Sequence, residues 1–400
     1  MRDKITQVKG ARPYFLSKQS LTWIASFAVI GVITLLISHA ATPTNNSIEP
    51  EDGTVAGGAI VGTNDSTASG GSYVTFKAPS TGMNHIPDSQ LPKGDATQAT
   101  NRVLLDPGPI DKFSGDGSGN FRIVCAFSHM SYDDPLAYPG QPGAAHLHTF
   151  FGNTTTNYAS TYNSLTAATS SSTCPGGGAN RSAYWLPTLM NGSTPLVPEI
   201  LGTYYKSELV PNASSVQDMP QGLHMIAGDK SNLTGQNNLI IYWACSGQPY
   251  AVNNTIPVCP AGNQVEMDVL FPQCWDGKNL DSANHISHLR YPGVQDPKPA
   301  GTLGNYGDGC SKETGYTTAI PALTVKAFWT VPAGGSANLR LSSDLPSALP
   351  GASAHADYME GWDRTIEARF AQHCIREGRD TSNSLCDGQV LVSPNQFIFH

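Results

Sequence analysis

The sequence predicts a mainly β, loop-rich, sandwich-like ectodomain with few short helices, preceded by one N-terminal transmembrane helix. Charged residues make up 14% of the 400-residue chain, against about 25% in an ordinary soluble domain, while 40 Gly and 29 Pro supply turns. Short runs of β-branched and aromatic residues recur between Gly, Pro and Asn clusters, the pattern of strands joined by loops. One uncharged apolar stretch, Leu21–Ser38, stands apart from everything after it.

Taken in order, residues 1–20 form a basic cytoplasmic segment, in which Arg2, Lys4, Lys9, Arg12 and Lys18 are opposed only by Asp3. At ~1.5 Å per helical residue, Leu21–Ser38 reaches about 27 Å, close to the hydrocarbon thickness of a bilayer. The positive charges before it put the N-terminus inside, so residues 21–40 read as an anchor with the C-terminal domain extracellular at the cell membrane. A cleaved signal segment is the alternative, because Ser38-His39-Ala40 offers small residues for cleavage and would leave a secreted protein; the long basic segment and long apolar run favour the anchor. Residues 41–100 read as a polar linker with a few strands, and residues 101–400 as one long β-rich unit.

Within that unit, Leu239–Ala244, Val265–Phe271 and Leu323–Val331 are the clearest strand candidates. The clearest helix follows Asp363 as N-cap, with Ile366, Phe370 and Cys374 at four-residue spacing and Gly378 as a stop. No repeat of solenoid or propeller length is visible. All eight cysteines follow the apolar run, so they are expected to be oxidised into as many as four disulfides. Cys245 with Cys259 and Cys374 with Cys386 would close short loops, although spacing alone does not select among the pairings. No C-x2-C pair suggests a thiolate zinc site.

Beyond residue 40 the chain carries 18 basic and 30 acidic residues, a balance that argues against nucleic acid as a partner. No G-x-S-x-G elbow, H-E-x-x-H helix, phosphate-binding loop or dinucleotide fingerprint is present. The chemistry-bearing residues are instead histidines and carboxylates in separate blocks. In a strand, His146 and His148 point to one face and could share a metal or an anion. Asp276, His285 and His288 form a second block and Asp357 a third, with Asp281, Glu360 and Asp363 nearby in sequence. The candidate catalytic set is therefore His146, His148, Asp276, His285, His288 and Asp357, and the candidate metal ligands are His146 and His148.

Each has a structural counterpart. His146 and His148 could be tied to backbone carbonyls, and His285 and His288 could brace a loop. Asp363 suits a helix cap, and Tyr184, Trp185, Trp275 and Trp362 suit core packing. A copper or zinc centre would need a third imidazole, for which His129, His224 and His355 are available.

Several blocks resemble a secreted family, the domain-of-unknown-function family nineteen-ninety-six of fungi and bacteria. They are Phe121–Cys125, Asp134-Pro135, Pro139-Gly140, His146–Asn153, Arg181–Pro187, Phe271–Gly277, Asn284–His288, His355–Tyr358 and Gly361–Asp363. The resemblance implies an exported domain, joined in some fungal members to carbohydrate-binding modules. Residues 48–78 separately resemble the opening strands of a β-sandwich carbohydrate-binding module, through Glu49, Glu51 and Ala68–Val74.

Two functions follow as expectations. In the first, the ectodomain binds or modifies cell-surface polysaccharide through one polar cleft made by His146, His148 and the Asp276–His288 loop, with His148 an exposed residue that is cheap to replace. In the second, it is a non-catalytic envelope or adhesion domain whose His and Asp blocks are structural.

Overall fold

The computed structural model describes residues 59–63, 72–76, 85–112, 117–207, 210, 212–249, 251–292, 310–311 and 314–394. The chain divides into two units, Met1–Pro79 and Ser80–His400. Leu21–Ser38 lies outside the described residues, and among those described no helix is long and apolar enough to cross a membrane. In the first unit, Ala59–Thr63 pairs antiparallel with Ser72–Phe76, so the stretch that resembles carbohydrate-binding strands supplies a hairpin.

The second unit is mainly β. Its principal strands are β1 (Asn120–Cys125), β2 (Phe127–Ser131), β3 (His148–Gly152), β4 (Ala183–Pro187), β5 (Ile200–Lys206), β6 (His224–Gly228), β7 (Ile241–Cys245), β8 (Gln264–Leu270), β9 (Ala322–Thr330), β10 (His355–Met359) and β11 (Asp380–Ser382). One sheet has the order β7-β8-β9-β5-β1-β11 and the other β6-β10-β4-β3-β2. All neighbours are antiparallel except β11, which runs parallel to β1.

Period-two alternation sorts each strand into two faces. Phe121 and Ile123 of β1, Val265 and Met267 of β8, and Val325 and Trp329 of β9 are buried in one cluster with Phe151, Tyr184, Met225 and Tyr358 of the five-stranded sheet. Both sheets thus contribute to a single core. A hydroxyl network runs through it: the Tyr184 and Tyr205 hydroxyls are 2.6 Å apart, and Trp362 Nε1 donates to the Tyr205 hydroxyl at 2.9 Å. The residues that alternate with those core positions, including Phe150, Ala183, Trp185 and Met359, face away and form a second cluster with Leu136 and Leu165 from the connecting loops. That covered outer face of the five-stranded sheet also carries His148, His355 and Asp357, because His148 is two residues from Phe150, and Asp357 and His355 are two and four residues from Met359, on the same strand.

The helix expected after Asp363 is present as α1 (Arg364–Phe370), whose first backbone N–H groups at Thr365 and Ile366 are accepted by the Asp363 side chain. The chain continues through a wider π-helical turn, Ala371–Arg376, and turns at Gly378 with φ 66°. The eight cysteines pair as Cys125–Cys174, Cys245–Cys259, Cys274–Cys310 and Cys374–Cys386.

Candidate metal centre

His148 opens β3, and His146 lies two residues upstream at the end of the loop that follows β2. That loop is held by its own carboxylates. Asp134 Oδ1 accepts the backbone N–H groups of Leu136 and Ala137, both at 2.9 Å, and Asp133 Oδ1 accepts that of Gly143 at 3.0 Å. Left-handed backbone at Gly140 and Gly143 (φ 74° and 67°) lets the chain double back without a Cβ clash. The folded loop presents the Asp133 carbonyl 3.0 Å from His148 Nδ1.

His355 opens β10, two strands away across β4. Its Nδ1 lies 2.8 Å from the Ser353 carbonyl. Asp344 fixes Ser353 in turn, accepting its hydroxyl at 2.7 Å and its backbone N–H at 3.2 Å.

These supports bring three imidazoles together. Ring centroids are 4.2 Å apart for His146 and His148, 5.1 Å for His146 and His355, and 6.0 Å for His148 and His355. One potential ligand atom from each lies within 4.8 Å of the other two. A carbonyl oxygen can only accept, so Nδ1 of His148 and of His355 must carry the proton, and each Nε2 presents a lone pair. Nε2 of His146 and of His148 is buried with no protein partner, as is Asp357 Oδ2, which lies 4.0 Å from His355 Nε2.

Burial dominates the protonation of this cluster. It lowers the proton affinity of all three imidazoles, with His146 falling well below the ordinary value and His355 to about 4; their mutual repulsion adds to the effect at His146 and His355. At His148, Asp134 and the Asp133 carbonyl work in the opposite direction. Burial pushes Asp357 well above the carboxylate range, and the Asp134 charge adds to it. Neutral imidazoles with convergent lone pairs and second nitrogens bonded to carbonyls are the usual dress of metal-ligating histidines.

The other predicted site residues go elsewhere. His148 is 0% exposed, which overturns the expectation of an exposed residue that is cheap to replace. His285 and His288 do not join the imidazole cluster. His285, at φ 56°, gives its Nδ1 to Asp281 Oδ1 at 2.7 Å, and the other oxygen of that carboxylate meets His224 Nδ1 at 2.9 Å. His288 bridges Ser282 Oγ at 2.9 Å and the His224 carbonyl at 2.8 Å. Asp276 accepts the backbone N–H groups of Lys278 and Asn279 at 3.0 and 2.9 Å, an ordinary turn. This segment braces the edge strand β6, and His285 also bonds the backbone of Leu136 in the loop that supports His148. His129 is committed as well, with Nδ1 on Ser128 Oγ and Nε2 on the Thr156 carbonyl, both at 2.9 Å.

His355 is thus the third imidazole among the three available, and Asp357 the only carboxylate of the predicted set beside the cluster. Asp133, Asp134, Ser353 and Asp344 were missed by sequence reasoning. The Asp133-Asp134-Pro135 turn signal was available for the first two, and nothing local marked Ser353 or Asp344.

Fold and site define a mainly β, disulfide-linked domain that gathers three neutral imidazoles on the covered face of one sheet. The model of the domain-of-unknown-function family DUF1996 matches residues 134–362, and the chain belongs to that family. All three histidines fall within the matched region. No curated protein and no solved structure gives a significant match.

Proposed function

We propose that the chain is an exported domain that works through a divalent transition metal held by His146, His148 and His355. The observation that carries this reading is the convergence of three imidazole nitrogens within 4.8 Å, two of them on rings whose Nδ1 is already fixed by a carbonyl. Imidazole sets of this kind suit zinc or copper, and three protein ligands leave a position for water or a substrate oxygen. Such a metal supplies Lewis acidity and a water that is acidic near neutral pH. The protein's part is to hold two of the rings, His148 and His355, in one tautomer and to bury them away from bulk water.

In this reading the partner is cell-surface polysaccharide and the domain stands outside the cell on the Leu21–Ser38 anchor. Four disulfides, the acidic balance beyond residue 40 and the hairpin of the first unit support that setting. The non-catalytic envelope reading is favoured by one observation, the bonds of His148, His355 and His288 to backbone carbonyls, which a purely structural imidazole would also make. It leaves the second nitrogen of His148 without a partner.

Metal analysis of the ectodomain, purified without chelators, separates the two. About one equivalent of zinc or copper is expected, lost in His148→Ala and His355→Ala. Wild-type protein that takes up neither metal, even when either is supplied, overturns the reading. Binding to glycan arrays with and without metal tests the polysaccharide partner.

A further inference from the structure

We propose that Lys230 is the anchor for an anionic group at the metal centre, so that the ligand of this domain carries a carboxylate or phosphate oxyanion. The inference rests on the metal reading above and names the substrate class of that site: an acidic, not a neutral, polysaccharide.

The argument starts from the sheet. Gly228 at the end of β6 is paired in register with His355, so the chain leaves β6 beside the cluster and Lys230 follows two residues later. Lys230 is exposed, and its Nζ lies 5.4 Å from the centroid of the Tyr138 ring. Tyr138 belongs to the loop that supports His148, its backbone N–H bonding the Asp134 carbonyl at 3.0 Å. The Lys230–Tyr138 contact therefore joins the strand end beside His355 to the loop that holds His148.

Lys230 makes no ion pair among the described residues. An unpaired ammonium next to a site built for a cation is unfavourable by itself, since like charges repel. The arrangement becomes favourable when an anion lies between them, one oxygen toward the metal and another accepting from Nζ. Of the three residues His146 alone is partly exposed, with its Nε2 buried, so the cluster comes nearest the surface on its side.

The test uses the cobalt(II)-loaded ectodomain, whose visible spectrum reports ligands that enter the metal's coordination. Acetate and inorganic phosphate are titrated separately, which distinguishes a carboxylate site from a phosphate site. In Lys230→Met, cobalt content should match wild type while affinity for the favoured anion falls about tenfold, the loss of one charge-assisted hydrogen bond. Lys230→Arg should keep most of that affinity. Equal anion affinity in wild type and Lys230→Met, at equal cobalt content, overturns the anchor and leaves the metal reading standing. Failure of the wild-type protein to take up cobalt, zinc or copper overturns both.

Discussion

Metal binding by the three histidines should be visible as stability, and its size can be worked out. A ligand that binds only the folded state at about 1,000 times its Kd adds about 4.1 kcal/mol. The compact unit Ser80–His400 has about 320 residues, and an unfolding entropy of about 2.1 cal/mol/K per residue gives about 0.7 kcal/mol/K. Zinc should therefore raise Tm by about 6 °C. His148→Ala should act twice. In chelator it removes a fully buried ring and the bond to the Asp133 carbonyl, a loss of about 2–4 kcal/mol, or about 3–6 °C. In zinc it should show none of the wild-type rise. His288→Ala is the control, because it also loses bonds to Ser282 and His224 but leaves the cluster intact. Differential scanning calorimetry in EDTA and in zinc reads all of these. A wild-type Tm indifferent to zinc and copper, or a full zinc response in His148→Ala, would refute the reasoning.

Other parts of the structure are equally exposed to experiment. Removing Cys125–Cys174, which closes a separation of 49 residues, should cost about 4 kcal/mol of chain entropy, against about 3 for Cys374–Cys386 with its separation of 12; the reverse order in urea unfolding counts against the pairing. Tyr205→Phe strands the Trp362 N–H and removes one of two partners of the Tyr184 hydroxyl, which keeps the bond from Asn180, and should cost about 1–3 kcal/mol by the same assay, so a neutral result would deny the network. Burial alone would raise Asp281, but bonds from His224 and His285 outweigh it and hold the carboxyl far below its ordinary value, while the Asp281 bond raises His285. The stability from His285 is thus complete below about pH 6.5 and is lost as pH rises through its higher folded pKa; that from Asp281 persists until pH falls through its depressed value. In Asp281→Asn the His285 titration followed by NMR should move back down, and an unchanged midpoint would remove Asp281 as the cause.

Sequence period was a good guide wherever local pattern decides structure. The runs around Trp243, Met267 and Val325 are strands β7, β8 and β9, and Asp363 caps α1, because alternation and capping are properties of a few adjacent residues. The H-x-H spacing brought the rings of His146 and His148 close together, although His146 lies in the loop before β3 and not on a strand face. What could not be read was distance in space. His285 and His288 are rich in chemistry, yet Asp281 four residues before the first and Ser282 six before the second each take one ring nitrogen, and the remote His224 carbonyl takes the other nitrogen of His288, a partner no local pattern announces. His355 was one of three equal candidates, and its selection depends on the strand order that lays β10 beside β4. Lys230 had no signature, since its place follows from the register of Gly228 with His355.

The energetics of the cluster point the same way as its geometry. A buried polar nitrogen without a partner costs on the order of 1–3 kcal/mol, and this face carries such atoms on His146 and His148 together with an oxygen of Asp357. A brace would need only the Nδ1 bonds to Asp133 and Ser353, and apolar side chains of similar volume could fill the remaining space against Phe150 and Trp185 at lower cost. The fold instead holds the uncompensated nitrogens next to one another, with supports from three separate segments: the 133–143 loop, strand β10 and the turn anchored by Asp344. Destabilising groups held in register by well-satisfied ones are what a preorganised binding site requires, because the missing interactions are then made in one step by whatever enters.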